Sequence, residues 1–287
     1  IINWLHLLPI RMHFYQSTLI LFPGQMTSGT GVVFHSCVCC AKILAMNLGF
    51  SLMSTLVFIP GLLCTSALFQ AQIDVLETTH KIMIADTTGL DSISAMSKRI
   101  LAQTDGPLIL FGLSMGGYIA METARLDASR VHGLGLFSTG ARADTEDRRK
   151  MRNDLVRLSS IGKFRGVTPR LLPKFLSPQA LQNEQLTNIV VQMAEKVGQH
   201  NFALQQQAIS NRIDHRPHLS SYTNPSCVVC GDIDELTPPD LAVEMADLLP
   251  NCDLKLLEAT GHLSTMEAPE ACLAAMQSLI ERVEQDS

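Results

Sequence analysis

From Ser54 onward the chain alternates short apolar runs with longer stretches whose apolar residues recur at helical spacing, and this alternation constrains the fold more than any other feature. The runs "STLVFIPG", "HKIMIAD", "GPLILFG", "VHGLGLFST", "SCVVCG" and "CDLKLLEA" read as strands, and several are apolar without interruption, as in a sheet buried on both faces. Between them "TSALFQAQIDVLE", "SISAMSKRILAQ", "MGGYIAMETARL", "PPDLAVEMADLL" and "APEACLAAMQSLIERVE" carry helical patterns. Strand and helix in repetition predict an α/β fold with a doubly wound, mostly parallel sheet.

One stretch, residues 142–222, breaks the alternation with several helical patterns and no persuasive strand. It is expected to be a helical insertion between two core strands, lying over a site as a lid. With 287 residues, one large domain over 54–287 carrying that insertion fits better than two domains. Residues 1–50 are atypical: they lack a starting Met and any Asp or Glu, and "MSTLVFIPGLL" begins cleanly only afterwards. They show no ordered signal peptide, and each apolar run is broken before membrane-spanning length. They are expected to be a non-native or upstream-translated extension, with the functional chain starting near Met46 or Met53 and a targeting or membrane-associating segment as the other reading.

Net charge is −5 and the basic residues form no patch interleaved with aromatics, which argues against nucleic acid as a partner. The eight cysteines read as buried thiols: Cys37, Cys39 and Cys40 cluster early, and Cys227 and Cys230, three apart in a strand, point to opposite faces. Neither a metal nor an organic cofactor is expected, because no metal-ligand spacing and no dinucleotide glycine fingerprint occurs. No membrane partner is expected for the core domain, cytoplasm is the default compartment, and oligomeric state is open.

The chemistry-bearing motif is "LILFGLSMGGYIAMETA", residues 108–124. It places Ser114 at a sharp strand-to-helix turn, where Gly112 and Gly116 allow close backbone approach and the helix N-terminus favours developing negative charge. The Gly-x-Ser-x-Gly spacing alone arises by chance in roughly one such chain in ten, so its weight comes from the strand before it and the helix after it. A serine hydroxyl needs a base and a group to orient that base. Among nine histidines, His262 in "EATGHLSTMEAPE" follows the last strand and belongs to the same sheet edge as Ser114, whereas His80 and His132 begin strands and His200, His215 and His218 fall in the insertion. The orienting carboxylate should end the preceding strand, where "CVVCGDIDELTPPD" offers Asp232, Asp234 and Glu235. Asp234 is preferred, three residues beyond Gly231, with Asp232 suited to stabilising the turn.

Ser114, Asp234 and His262 in that chain order, with their surrounding motifs, resemble the α/β-hydrolases from about residue 54 to the C-terminus. The resemblance implies an eight-stranded plan that this chain enters at the third strand. It also assigns "FIPGLL" to the oxyanion loop, where the backbone N–H groups of Leu62 and Met115 would face the oxyanion. Many relatives have a glycine- and serine-rich turn after the next strand; here it reads "IADTTGLDSISAM", with Asp86 a structural turn residue. The expected activity is a serine hydrolase acting on a small-molecule acyl substrate, a small carboxylic ester or lactone, through an acyl-enzyme. The alternatives are cofactor-free perhydrolysis or haloperoxidase-like chemistry, C–C bond hydrolysis, and a non-catalytic ligand-binding protein of the same fold. Apolar walls for the pocket are expected from "LLPKFLSP" and "NFALQQQAI". Arg142, Arg165, Arg170 and Arg212 are candidates to meet a substrate carboxylate, with solvated surface as their ordinary role.

Overall fold

The strands are Thr55–Ile59 (β1), Ile82–Ile84 (β2), Leu108–Leu113 (β3), Val131–Phe137 (β4), Ser226–Gly231 (β5) and Cys252–Leu257 (β6). In this computed structural model, which describes residues 54–286 apart from 162, 163 and 165, they form one fully parallel sheet in the order β2-β1-β3-β4-β5-β6. The expected extension over residues 1–50, with Cys37, Cys39 and Cys40, lies outside the described residues, as does Arg165.

Side-chain alternation explains why the central strands read as unbroken apolar runs. Leu56 and Phe58 of β1 enter one core cluster and Val57 and Ile59 the other. In β5, Cys227 and Val229 enter the first and Val228 and Cys230 the second, so the two cysteines do face opposite ways. The edge strand β6, by contrast, leaves Asp253, Leu254, Lys255 and Leu256 exposed, matching its mixed composition.

The helices are Gln70–Leu76 (α1), Ile93–Gln103 (α2), Met115–Leu126 (α3), Glu146–Ser159 (α4), Glu184–Ser210 (α5), Arg216–Leu219 (α6), Pro239–Leu248 (α7), Ser264–Glu267 (α8) and Pro269–Gln285 (α9). α1 and α9 pack on one face of the sheet through residues such as Ile73, Met276 and Leu279, and α2, α3 and α7 on the other through Met96, Ile119 and Met245. The sheet is therefore doubly wound. Burying a side chain such as Phe58 or Phe111 stabilises the fold by about 1.5–3 kcal/mol relative to leaving it in water. Local signals agree with this packing: Ser92 caps α2 by accepting from Ala95 N, and the stretch expected as one helix from Thr65 opens as a 3-10 turn, Ser66–Phe69, before α1.

Between β4 and β5 the chain forms α4, α5, α6 and short 3-10 turns, with no strand among the described residues. α5 is broken at Gly198, whose φ of 78° and ψ of 170° separate two helical halves. An internal ion-pair cluster anchors this segment. Arg212, 6% exposed, sets a guanidinium nitrogen 2.7 Å from Asp144 Oδ1, donates to Arg142 O and lies 4.3 Å above the Tyr118 ring. Arg152 binds the other Asp144 oxygen and Gln206. Arg212 is thus neither solvated nor free for a ligand. Arg142 pairs with Glu244, and Arg170 is exposed.

Burial opposes the Asp144 charge, but Arg152 and Arg212 outweigh it and hold its pKa below the ordinary carboxylate value. A depressed pKa in the folded state contributes stability that is complete above the ordinary carboxylate range and is lost as pH falls through the folded value. Replacing Asp144 with alanine leaves Arg212 buried and uncompensated, and is expected to destabilise the fold by about 3–5 kcal/mol near neutral pH. Urea unfolding of both proteins checks this, and a difference below about 1 kcal/mol would remove the cluster's stabilising role.

Candidate active site

Ser114 sits at the turn from β3 into α3 with φ 56° and ψ −115°, a conformation that strains a non-glycine residue by about 1–3 kcal/mol. Its surroundings enforce it. Ser114 N donates to Phe137 O at 3.0 Å, and Ser114 O accepts from Gly117 N at 2.9 Å and from Thr139 Oγ1 at 2.8 Å. A β-carbon on Gly116 would lie 1.9 Å from Ile59 O and one on Gly112 2.3 Å from Gly116 O, so both glycines are steric requirements of the turn. The Ser114 side chain makes no capping bond to the helix it precedes.

The turn after β1 abuts this serine: a β-carbon on Gly61 would stand 3.4 Å from Ser114 Cβ. Of the two amides singled out in the sequence, Met115 N directly follows the serine and Leu62 N follows Gly61 in the abutting turn. Neither donates within the backbone network of the described residues.

At the end of β5 the structure distinguishes the three acidic candidates. Asp232 is exposed and accepts from Thr260 N at 3.3 Å, a turn role, and Glu235 is exposed. Asp234 is 2% exposed and faces His262, with its carboxylate oxygens 2.8 and 3.0 Å from His262 Nδ1. Oδ1 also accepts from Leu236 N at 2.9 Å and Thr237 N at 3.0 Å, while Oδ2 accepts from Thr237 Oγ1 at 2.7 Å. Burial disfavours the Asp234 charge. The His262 ring and the hydrogen bonds from His262 and Thr237 overcome it, leaving the pKa below the ordinary value. A carboxylate on Nδ1 assigns the proton to that nitrogen and leaves Nε2 with a free lone pair.

His262 is 4% exposed in the loop between β6 and α8. Its backbone N donates to Phe175 O at 3.0 Å, and the two rings lie 6.4 Å apart. Ser138, directly after β4, donates to Ser264 Oγ at 3.0 Å and ties the His262 loop to the strand end that holds Ser114 N. All five predicted residues therefore share the C-terminal edge of the sheet. Asp86 is a turn residue as expected, accepting from Thr88 N and Thr88 Oγ1.

Three contributors were not read from the sequence. Thr237 buttresses Asp234, a role its place three residues downstream could have suggested. Phe175, in a stretch expected to supply pocket walls, supports His262 through its carbonyl. Gln205 lies in "NFALQQQAI", also expected as an apolar wall, yet it is fully buried and holds Leu63 N at 3.1 Å. Nothing in the local pattern marks that glutamine. His215 makes a second buried approach to a carboxylate, 3.8 Å from Glu122, and burial pushes its pKa down to about 4. Among the described residues no group of His, Cys, Asp and Glu could hold a metal, and no helix is long and apolar enough to cross a membrane.

Known proteins share this arrangement of elements. A thermophilic esterase from Thermogutta terrifontis superposes with a TM-score of 0.72 at 23% identity, covering 80% of this chain and 90% of that one. The enol-lactonase from Burkholderia xenovorans LB400 gives a TM-score of 0.71 at 18% identity over 81% and 93%. At those identities the likeness shows the fold. A pimeloyl-acyl-carrier-protein methyl ester esterase of Photobacterium profundum is 24% identical over 256 residues, 79% of this chain and 94% of its own. A model of the alpha/beta hydrolase family matches residues 56–275, and with the parallel sheet and the Ser114 turn it establishes that the chain belongs to the alpha/beta hydrolase family.

Proposed function

We propose that this chain is a serine hydrolase that cleaves a small carboxylic ester or lactone through an acyl-enzyme. The observation that carries the reading is the buried Asp234 carboxylate on His262 Nδ1, at the sheet edge where the Ser114 turn also stands. His262 Nε2 takes the Ser114 proton as the hydroxyl oxygen attacks the substrate carbonyl carbon. Asp234 stays ionised and stabilises the imidazolium that results. The Leu62 and Met115 amides hold the oxyanion, and loss of either donor would raise the barrier by about 3 kcal/mol. The tetrahedral intermediate collapses, the alkoxide leaves with the proton from His262, and the acyl group stays on Ser114. Water, deprotonated by His262, then attacks the acyl carbon; the bond to Ser114 Oγ breaks, Oγ takes the proton back from His262, and the acid is released. The esterase and enol-lactonase names of similar proteins support the ester and lactone class.

Residues 142–222 act as a lid in this reading, because Phe175 accepts from His262 N and its ring lies beside the imidazole. The test is treatment with a fluorophosphonate probe and location of the adduct by mass spectrometry. Stoichiometric labelling of Ser114 in wild type, sharply reduced in His262→Ala, is expected. No adduct in folded wild-type protein would overturn the mechanism.

A further inference from the structure

We infer that Gln205 is a positioning residue for the oxyanion turn, tethering Leu63 N so that the loop carrying Leu62 N–H stays in place beside the reacting carbonyl. The inference rests on the hydrolase reading above and adds to it a working part drawn from the helical segment between β4 and β5.

The turn itself is poorly determined by its own sequence. Cys64 N donates to Gly61 O at 3.1 Å and closes a four-residue turn in which Leu63 takes φ 58°. Left-handed backbone at that position suits glycine, and a leucine keeps it only when its surroundings dictate it. A turn of this kind has a neighbouring state in which the central peptide plane flips, moving ψ of Leu62 and φ of Leu63 together. The flip would turn Leu63 N–H away from its present partner and untie the turn from Gln205; Leu62 N–H, which belongs to the preceding Gly61–Leu62 peptide, would then move only as the untied loop shifts as a whole.

That partner is Gln205. Its Oε1 accepts from Leu63 N at 3.1 Å, and its Nε2 donates to Thr87 O and Thr87 Oγ1, both at 3.2 Å. The side chain is fully buried and Leu63 is 7% exposed, so a flipped peptide would leave an amide without a partner inside the protein. The amide group thus clamps the loop after β1 to the loop after β2, using both of its ends. Gln205 also lies beyond the Gly198 break, in the half of α5 whose Ala208 and Ile209 join the core cluster that holds Met96 of α2 and Ile119 of α3. The clamp is therefore mounted on core structure and is separated by that break from residues 184–197.

The experiment compares wild type with Gln205→Met, which keeps side-chain length and packing but removes both hydrogen-bonding ends, and with the milder Thr87→Val. Three quantities are read: kcat and KM on an ester that wild type hydrolyses, the second-order rate of Ser114 phosphonylation, and the melting temperature. For Gln205→Met we expect kcat to fall about 10- to 100-fold, short of the 10²–10³-fold for outright loss of a donor. KM should stay within about twofold, and phosphonylation should slow in parallel, because its phosphoryl oxygen occupies the same amides. Thr87→Val should show a smaller loss of the same kind and covers the case in which Gln205→Met does not fold. Wild-type kcat and phosphonylation in folded Gln205→Met, or equal losses in kcat and melting behaviour with no kcat-against-KM split, would overturn the positioning role. Failure of wild type itself to be labelled would instead remove the hydrolase reading, so the two failures are distinguishable.

Discussion

Replacing Ser114 with alanine is expected to lower kcat by on the order of 10⁶-fold while leaving the melting temperature unchanged. The two halves of that expectation come from different observations. Activity falls because the hydroxyl is the nucleophile of the proposed acyl transfer. Stability is retained because Ser114 takes part in the hydrogen bonds that enforce the strained turn through its own backbone: Ser114 N to Phe137 O, Gly117 N to Ser114 O, and Thr139 Oγ1 to Ser114 O. Alanine carries the same β-carbon and accepts the same φ of 56° at similar strain. Ester hydrolysis and thermal melting on one preparation check both halves. Residual activity within about a hundredfold of wild type would mean that Ser114 is not the nucleophile.

Asp234→Asn is expected to lower kcat by about 10⁴-fold with little change in KM. The hydrogen bonds fix which way the introduced amide must face. Oδ1 accepts from Leu236 N and Thr237 N, two backbone donors that an NH2 group cannot occupy, so the amide oxygen must remain there. Its NH2 group then points to Thr237 Oγ1 and His262 Nδ1, where the carboxylate now accepts. A donor on the shorter, 2.8 Å contact to Nδ1 favours the imidazole proton on Nε2, the nitrogen that has to take the Ser114 proton. Geometry is preserved and the tautomer is wrong. Asp232→Asn is the matched control: that residue is exposed and only accepts from Thr260 N, so its activity should stay close to wild type. A loss in Asp232→Asn comparable to that in Asp234→Asn would reverse the assignment.

Much of this site was legible because the family's chemistry is written in local patterns. The Ser114 turn needs glycines at 112 and 116 for steric reasons that any sequence must meet, and the approach of Ile59 O to Gly116 shows how tight the requirement is. His262 was found by elimination, since only that histidine follows a strand at the correct edge. The choice of Asp234 over Asp232 and Glu235 was harder, because three acids within four residues differ only in where the turn points them. The arginines show the opposite case. Arg212 was expected on the surface, but Asp144, 68 positions earlier, draws it inside, and no local pattern records a partner that distant.

What the sequence determined by itself is the order of strands and helices, the two-faced burial of the central strands, and the identity of the Ser114 turn. These follow from side-chain periodicity and backbone sterics, which act over a few residues. Tertiary structure alone brought the Asp234 carboxylate onto His262 Nδ1, drew Arg212 inside, and set Gln205 against Leu63 N. Each depends on polar atoms brought together from segments 28 to 142 residues apart, and inside a protein such atoms must find partners. Which partner each one finds is set by how the elements pack, and a local sequence pattern does not contain that.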